Sequence, residues 1–206
     1  INKVVFRGSA TGCGIDADTN KRIAVVELAQ EGDNKEILDA KLTGLNNRDK
    51  IYERKDGKVI IGRYSGSIKD TKENTLTVQK QSEYRYVLHI DGHVAAYRLG
   101  RELAYNSCIL KMKGYEDYKL WFSDKLKPYD DKNEEEANII NVKLDGLMEE
   151  IKSIMGKEDE EQKKKEKEEV SRKIAENAKN LYNKIMTKDY MIKYMQEKLN
   201  MISSNF

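Results

Sequence analysis

The sequence predicts an α/β fold in which helices flank a parallel sheet and a helical segment follows at the C-terminus. Two observations predict the sheet. A strand-helix-strand pattern runs from residue 86 to 112, and an apolar strand at residues 4–6 leads directly into a glycine-rich loop. A strand-helix-strand unit of this length is typical of parallel strands joined by a right-handed crossover. From residue 144 onward, apolar residues recur at helical spacing, which predicts the C-terminal segment.

The first third of the chain reads as strand, loop, helix and strand. Residues 7–14 form a loop of small residues with glycines at positions 8, 12 and 14, which permit left-handed backbone and close approach of a ligand. A helix is predicted at residues 20–30 and a second strand at residues 36–42. Residues 58–61, Lys-Val-Ile-Ile, lie between two glycines, a pattern that fits either a small hairpin arm or a strand.

The central pattern is a strand from Tyr86, a turn at Asp91 and Gly92, and a helix that begins near Val94 and continues to about residue 104. At such a junction, the helix N-terminus faces an anion with unpaired N–H groups and the positive end of its dipole. Arg98 is predicted one turn into this helix, within reach of that anion. This stretch contains no complete glycine-rich phosphate fingerprint. By itself, the local pattern therefore favours an ordinary strand-to-helix connection with an exposed arginine over a phosphate site.

The remaining elements follow the same periodicities. A helix is predicted at residues 76–84, and strands are predicted at residues 107–112 and 137–142. Trp121 and Phe122 are interpreted as core anchors rather than as stacking platforms for a ligand.

Bulk properties exclude several classes of protein. The 206 residues include 38 basic and 36 acidic side chains, and a formal net charge of +2 argues against a nucleic-acid binder. No apolar run is long enough for a membrane span, and no signal peptide opens the sequence. Two cysteines, Cys13 and Cys108, fit a reducing compartment, which leads to a cytoplasmic prediction. The first residue is Ile1 in a strand-like run, which leaves open that the sequence is a piece of a longer polypeptide.

Two charged patterns admit alternative interpretations. Asp16 and Asp18 resemble a metal-binding aspartate pair, but two aspartates before a helix are more often capping residues, and we predict no metal site. The run at residues 157–169 consists almost entirely of Lys, Glu, Asp and Gln. It is interpreted as a solvated helix with Glu/Lys pairs rather than as a nucleic-acid patch.

Four motifs carry a resemblance. They are Phe-Arg-Gly-Ser at residues 6–9, Tyr-x-Tyr followed by an apolar strand and Gly-x-x-Ala-x-x-Arg at residues 84–98, Leu-Lys-Pro-Tyr at residues 126–129, and Ile-Ala-Glu-Asn-Ala at residues 174–178. In this order they resemble the protein O-glucosyltransferase and capsule-associated xylosyltransferase group, glycosyltransferase family ninety, over about residues 3–200. The glycine-rich loop and the Lys/Asn/Ile-rich composition resemble homologues from large DNA viruses.

The resemblance implies a fold and an activity. It implies an enzyme of the GT-B type with two Rossmann-like lobes, of which residues 1–143 form the second, donor-binding lobe. Residues 144–206 are then helices that pack on this lobe and toward a first lobe located upstream or on a separate chain. The implied reaction is metal-independent transfer of a sugar from a UDP-sugar to an acceptor hydroxyl with inversion. The implied partners are the UDP-sugar, an acceptor protein or glycan, and the first lobe, with no cofactor.

The resemblance also implies donor-binding residues. Arg7, Ser9 and Arg98 would hold the diphosphate, assisted by the backbone N–H groups of residues 93–95, which are His93, Val94 and Ala95. The general base belongs to the first lobe in this family, so no catalytic residue is assigned here. Asp91 would sit poorly beside a diphosphate if it pointed inward, whereas as a cap for backbone N–H groups it would be harmless.

An alternative function remains open. A transferase-like lobe without catalytic activity would serve as a structural or protein-interaction module, through residues 43–72 and the terminal helix. The last helix supports this alternative because it carries a broad apolar stripe, formed by Tyr190, Met191, Tyr194, Met195, Leu199 and Ile202. For either function, the expected location is the cytoplasm, including a viral factory in an infected host.

Overall fold

The computed structural model describes residues 1–45, 49–55, 58–64, 68, 72–112, 118–130, 132–157 and 160–204. The strands are β1 (Val4–Ser9), β2 (Leu38–Gly44), β3 (Lys50–Lys55), β4 (Lys58–Gly62), β5 (Tyr86–His89), β6 (Cys108–Met112) and β7 (Ile140–Val142). Five of them form one sheet in the order β2-β1-β5-β6-β7, and every neighbouring pair is parallel. The predicted parallel α/β sheet is therefore confirmed.

Strands β3 and β4 form a separate antiparallel hairpin. Residues 58–61 lie in β4, so this stretch is a strand that forms one arm of the hairpin.

The helices are α1 (Lys21–Leu28), α2 (Val78–Gln81), α3 (Arg98–Glu102), α4 (Leu147–Met155), α5 (Glu161–Ile185) and α6 (Lys188–Ser203). The side chain of Asn20 caps α1 by accepting hydrogen bonds from the backbone of Arg22 and Ile23, as expected for an N-cap asparagine. The predicted helix at residues 20–30 is confirmed.

Two predicted helices are shorter than expected. The helix predicted at residues 76–84 is only the single turn of α2, because the backbone of Arg85 already joins the sheet through hydrogen bonds with Ile1 and Cys108. The helix predicted from Val94 begins only at Arg98. A turn precedes it, in which the N–H of Gly92 donates to the carbonyl of Val94. Arg98 is therefore the first residue of α3 rather than a residue one turn inside it.

Both faces of the sheet are buried, as the continuous apolar strands lead one to expect. On one face, Phe6 and Leu88 pack in the same core as Ile23 of α1. On the other face, Ile109 of β6 packs with Leu99 of α3. Helices α1 and α3 thus cover opposite faces of the sheet.

The C-terminal helices share these cores. Leu147 and Ile151 of α4 and Ile174 of α5 belong to the core that contains Phe6. Near the amino ends of the strands, the hydroxyl of Tyr86 lies 3.3 Å from the hydroxyl of Ser171 in α5. The predicted boundary between residues 1–143 and 144–206 stays a prediction, but the helices that follow it complete the core of the sheet.

The charged run at residues 157–169 is mostly helical. Residues 161–169 form the first part of α5 and are largely exposed, whereas residues 158 and 159 lie outside the described part of the chain. The ammonium of Lys164 lies 3.8 Å from a carboxylate oxygen of Glu161, and the amide of Gln162 donates to Glu166. These contacts confirm the prediction of a solvated helix with intrahelical polar pairs.

Helix α6 contributes no buried residue. Its contact with the domain includes Tyr190 and Tyr194, whose rings lie 6.3 and 5.1 Å from the ring of Trp121. Met195 and Leu199 are each 62% exposed. Phe122 is buried as predicted, whereas Trp121 is partly exposed beneath α6.

Candidate functional site

The order of the strands creates a switch point between β1 and β5. From β1 the chain passes through α1 to β2 on one side, and from β5 it passes through α3 to β6 on the other side. Ligands of open α/β sheets bind at such a point, in the crevice outside the carboxyl ends of the strands. The residues that follow β1 and β5 therefore form the candidate site.

The loop after β1 folds back on itself through two glycines with positive φ, Gly12 at 115° and Gly14 at 86°. A carboxylate oxygen of Asp16 accepts hydrogen bonds from the backbone N–H of Thr19 at 3.0 Å and from its hydroxyl at 2.5 Å. Asp16 thus stabilises the turn before α1, and Asp18 is exposed. A search of the described residues finds no group of three or more side chains suited to hold a metal ion.

Arg22 connects the loop after β1 to the loop after β5. Its Nη1 donates to the carbonyl of Ser9 at 2.9 Å and to the hydroxyl of Thr11 at 2.6 Å. Its Nη2 donates to the carbonyl of Ile90 at 2.7 Å, and its Nε donates to the carbonyl of Asp91 at 3.1 Å. A single buried guanidinium therefore joins the carboxyl ends of both strands.

The environment of Arg22 disfavours its charge. The pKa of Arg22 is lowered to about 10, chiefly by burial and also by the positive charge of Arg98, against the opposing effects of Asp91 and Glu102. Sequence reasoning did not single out Arg22. The sequence contained one signal for Arg22, which is its position in the first turn of a predicted helix. The helix dipole disfavours a cation at that end of a helix.

Arg98 reaches over the same edge from the start of α3. Its Nη1 donates to the carbonyl of Arg7 at 2.5 Å, and its Nη2 lies 3.5 Å from the carbonyl of Ile90. The guanidinium lies 4.9 Å from the centre of the Phe6 ring, at a distance typical of a cation–π contact. A Cβ atom at Gly8 would lie 3.0 Å from Arg98 Nη1, so the absence of a side chain at Gly8 makes room for this arginine.

The Nε of Arg98 lies 3.1 Å from Oε1 of Glu102. The N–H of this nitrogen is not aligned for a hydrogen bond, although the nitrogen is buried. The contact is therefore an ion pair at close range, held by charge rather than by hydrogen-bond geometry.

His89 is fully buried at the end of β5, between two carboxylates. Its Nδ1 lies 2.5 Å from Oε2 of Glu102, and its Nε2 lies 3.2 Å from Oδ1 of Asp91. Each ring nitrogen of His89 therefore lies within hydrogen-bond distance of an oxygen of a different carboxylate.

The two carboxylates are held in the ionised form. Burial alone would raise the pKa of Glu102, but the charges of His89 and Arg98 outweigh it and lower the pKa below its ordinary value. For Asp91, burial likewise acts to raise the pKa. Hydrogen bonds from His89 and the backbone of Ala96, together with the charge of Lys111, outweigh burial and lower it.

A cleft of about 220 Å³ opens at the same edge, beside Asp91. Its walls include Lys111 at the end of β6, Asn141 in β7 and Pro128. Tyr118 and Leu120 add an apolar side. The cleft combines apolar surface with a few polar groups, which is the usual character of a small-molecule site.

Arg7 is directed away from the crevice. Its guanidinium forms two contacts with the carboxylate of Asp39 in β2, at 2.9 and 2.8 Å, and donates to the carbonyl of Asp39 at 2.6 Å. Burial alone would raise the pKa of Asp39, but hydrogen bonds from Arg7 and Tyr84 lower it. Of the residues predicted to hold a diphosphate, Arg7 is thus already occupied by an ion pair within the sheet.

The other predicted site residues lie around the crevice. Ser9 ends β1, where its carbonyl accepts from Arg22. His93 and Val94 are exposed and Ala95 is buried, all within the turn between β5 and α3. Their N–H groups precede the helix instead of forming its N-terminus, which corrects the predicted placement. The structure therefore gathers Ser9, Arg98 and residues 93–95 at one edge, without the Arg7 side chain.

Cations outnumber carboxylates at this edge. Arg22, Arg98 and Lys111 face the carboxylates of Asp91 and Glu102. An edge with excess positive charge and low exposure attracts an anion and has the chemistry needed to bind phosphate groups.

Together, the topology and the arginine-lined edge define a Rossmann-like α/β domain with a candidate anion site at its switch point. No family model matches the chain. The chain is 29% identical over an alignment of 214 positions to uncharacterized protein 035R of Invertebrate iridescent virus 3. It is 30% identical over 224 positions to uncharacterized protein 179R of Invertebrate iridescent virus 6. Both alignments cover 100% of the chain.

A third viral relative is uncharacterized protein 027R of Frog virus 3, which is 32% identical over 131 positions that cover 61% of the chain. The chain spans 17% of the length of the first two relatives and 13% of the third. The predicted relationship to viral proteins is thereby supported. Within the described residues, none of the helices is both long and apolar enough to cross a membrane.

Proposed function

We propose that this chain is the donor-binding lobe of a glycosyltransferase that takes a UDP-sugar and transfers the sugar to an acceptor hydroxyl with inversion. The observation that carries the proposal is the position of Arg22 and Arg98, which lie together at the switch point between β1 and β5. The sequence motifs resemble those of glycosyltransferase family ninety, and this resemblance supports a nucleoside diphosphate as the anion. A first lobe would supply the general base, so we assign no catalytic residue to this chain.

The geometry suits the chemistry of the leaving group. As the bond to the anomeric carbon breaks, negative charge develops on the departing diphosphate oxygen. Arg98 is held in place by the carbonyl of Arg7 and by Glu102, so it needs little reorganisation when that charge appears. A cation placed in this way stabilises the transition state more than the ground state, which is the condition for catalysis.

The direct test is calorimetry of the folded chain with UDP. We expect a dissociation constant between about 10 μM and 1 mM, which corresponds to about −7 to −4 kcal/mol. Arg98→Ala should weaken binding by at least about tenfold, or about 1.4 kcal/mol, because it removes the cation nearest the anion. The matched control is Arg101→Ala, since Arg101 lies in the same helix but is exposed.

Two results would contradict the proposal. One is the absence of heat at millimolar UDP for wild-type protein whose circular dichroism shows that it is folded. The other is an Arg98→Ala variant that binds UDP as tightly as the Arg101→Ala control, which would remove the phosphate assignment.

A second candidate function is a catalytically inactive module that binds proteins. The specific observation is the exposed apolar face of α6, where Met195, Leu199 and Ile202 are 62%, 62% and 56% exposed. An apolar face of this kind is typical of a protein-interaction surface.

Self-association through α6 is the simplest form of the second function. Sedimentation of the chain should then give a mass above that of the monomer, and Leu199→Glu should restore the monomer by placing a charge on the apolar face. Lys193→Glu, at an exposed position of the same helix, is the control that keeps this face apolar. A wild-type chain that is monomeric at all concentrations and has no affinity for UDP would count against both functions.

A further inference from the structure

We propose that Asp91 is a specificity-determining residue whose Oδ2 accepts a hydrogen bond from a ribose hydroxyl of the bound nucleotide. This inference rests on the proposed function and adds to it the residue that distinguishes a ribonucleotide from a deoxyribonucleotide. It assigns the cleft at the carboxyl ends of β5, β6 and β7 to the nucleoside part of the ligand.

The two oxygens of the Asp91 carboxylate have different surroundings. Oδ1 accepts from the N–H of Ala96 at 2.8 Å and faces Nε2 of His89 at 3.2 Å. Oδ2 has the ammonium of Lys111 at 3.9 Å, which is too far for a hydrogen bond. No donor among the described residues lies within hydrogen-bond distance of Oδ2. Among the described residues, Asp91 therefore has one hydrogen-bonded oxygen, Oδ1, and one oxygen, Oδ2, that accepts no hydrogen bond.

The free oxygen belongs to a wall of the cleft. Asp91 lines the 220 Å³ cleft together with Lys111 and Asn141. The Asp91 side chain is 15% exposed, and Asp91 contributes to the surface of this opening. A carboxylate with low exposure and free lone pairs is a strong acceptor for a donor that enters the cleft.

Asp91 is also held in one orientation. Its Oδ1 is fixed by the backbone of Ala96 on one side and by the buried ring of His89 on the other, and His89 is itself held by Glu102. His89 is thus a positioning residue for Asp91. An acceptor that is already oriented loses little conformational entropy when the ligand binds.

The charge of Asp91 determines which part of a nucleotide it contacts. A carboxylate repels phosphate oxygens, so the diphosphate is assigned to Arg98, whose Nη2 lies 3.5 Å from the carbonyl of Ile90, the residue before Asp91. The ribose is attached directly to the diphosphate and carries the first neutral hydroxyl donors along the ligand. The cleft is smaller than the roughly 300–1,000 Å³ typical of whole ligand pockets, which fits a nucleoside portion and not the full UDP-sugar.

This assignment resolves the question that the sequence left open about Asp91. The side chain caps a backbone N–H with one oxygen and faces the cleft with the other. Both interpretations of Asp91 are therefore combined in a single carboxylate, and its negative charge lies beside the ribose rather than beside the diphosphate.

The test compares UDP with 2′-deoxy-UDP and 3′-deoxy-UDP by calorimetry on the wild-type chain. We expect at least one deoxy analogue to bind about tenfold more weakly than UDP. In Asp91→Asn, the amide oxygen still accepts from Ala96, but the charged acceptor is gone, so UDP and that analogue should bind within about twofold of each other. Asp145→Asn is the control, because Asp145 is an exposed aspartate just beyond β7 and should leave the discrimination unchanged.

The outcomes separate this inference from the proposed function. Wild-type protein that binds UDP and both deoxy analogues equally well would overturn the role of Asp91 and leave the donor-binding lobe intact. Asp91→Asn protein that keeps the full tenfold discrimination would also overturn it. A folded wild-type chain with no affinity for UDP would overturn the proposed function and this inference together.

Discussion

Replacing Arg22 by alanine is expected to lower the free energy of unfolding by about 3 kcal/mol. Arg22 donates hydrogen bonds to the carbonyls of Ser9, Ile90 and Asp91, and it is only 6% exposed. Alanine leaves these buried acceptors without their donor and leaves a cavity between the two loops. Urea denaturation followed by circular dichroism measures the change.

The matched control for Arg22 is Arg172→Ala. Arg172 is an exposed arginine of α5 that pairs with Glu176 four residues later at 3.0 Å. Exposed pairs of this type contribute only about 0.3–0.5 kcal/mol. If Arg22→Ala and Arg172→Ala had the same unfolding midpoint, Arg22 would not hold the two loops together.

A more conservative change separates charge from geometry at this position. Arg22→Lys keeps the positive charge but replaces the planar fork of five N–H donors by a single ammonium. We expect its stability to lie between those of wild type and Arg22→Ala, because one ammonium cannot reach the carbonyls of Ser9, Ile90 and Asp91 together.

Glu102→Gln is expected to lower the free energy of unfolding at pH 7 by about 3 kcal/mol. Glu102 is 2% exposed and lies against the guanidinium of Arg98 and the ring of His89. Glutamine has nearly the same shape, so the loss reports the missing negative charge rather than a cavity. The remaining positive charges are then buried with only Asp91 to balance them, which is the costly outcome of breaking a buried ion pair.

The same residue predicts how stability depends on pH. The pKa of Glu102 is lower in the folded chain than the value of about 4.3 for an unperturbed glutamate. Its stabilising contribution is therefore fully present above about pH 4.3, and it is lost as the pH falls through the folded pKa. Asp91 and Asp39, whose pKa values are also lowered, contribute with the same sign.

Urea denaturation at several pH values between 3 and 7 tests this dependence. Wild-type protein should lose stability below about pH 4.3, and Glu102→Gln should lose less over the same interval because the titrating group is absent. Glu176→Gln, an exposed carboxylate of α5, is the control and should follow the wild-type curve within about 0.5 kcal/mol. A Glu102→Gln variant with the wild-type acid dependence would show that the ion pair contributes nothing to stability.

The candidate site was only partly predictable from the sequence. Ser9 and Arg98, which the family resemblance implied, lie at the carboxyl edge of the sheet in the structure. Arg7 was assigned to the same site although side chains alternate along a strand. Gly8 lies against Arg98, so the side chain of the neighbouring Arg7 points to the opposite face of the sheet. There it contacts the carboxylate of Asp39.

Arg22, in contrast, lies in the candidate site but was not predicted from the sequence. Its partners are carbonyl groups of residues 9, 90 and 91, which are up to 69 positions away in the chain. Every residue has a backbone carbonyl, so the sequence does not mark which carbonyls an arginine will contact. No sequence pattern therefore distinguishes an arginine that donates to carbonyls from an arginine that faces solvent. Only the folded arrangement of β1 beside β5 identifies Arg22 as the residue between them.

By itself, the sequence determined the parallel α/β sheet and the C-terminal helices, because hydrophobic periodicity and glycine positions act over a few residues. The tertiary structure alone decided where α3 begins, since the turn at residues 92–96 is closed by the carboxylate of Asp91, and His89 and Glu102 hold that carboxylate in place. The tertiary structure also decided that Arg22 and Arg98, and not the side chain of Arg7, lie together at the carboxyl edge of the sheet. These features depend on charges brought together from separate elements, and such contacts exist only after the strands have paired.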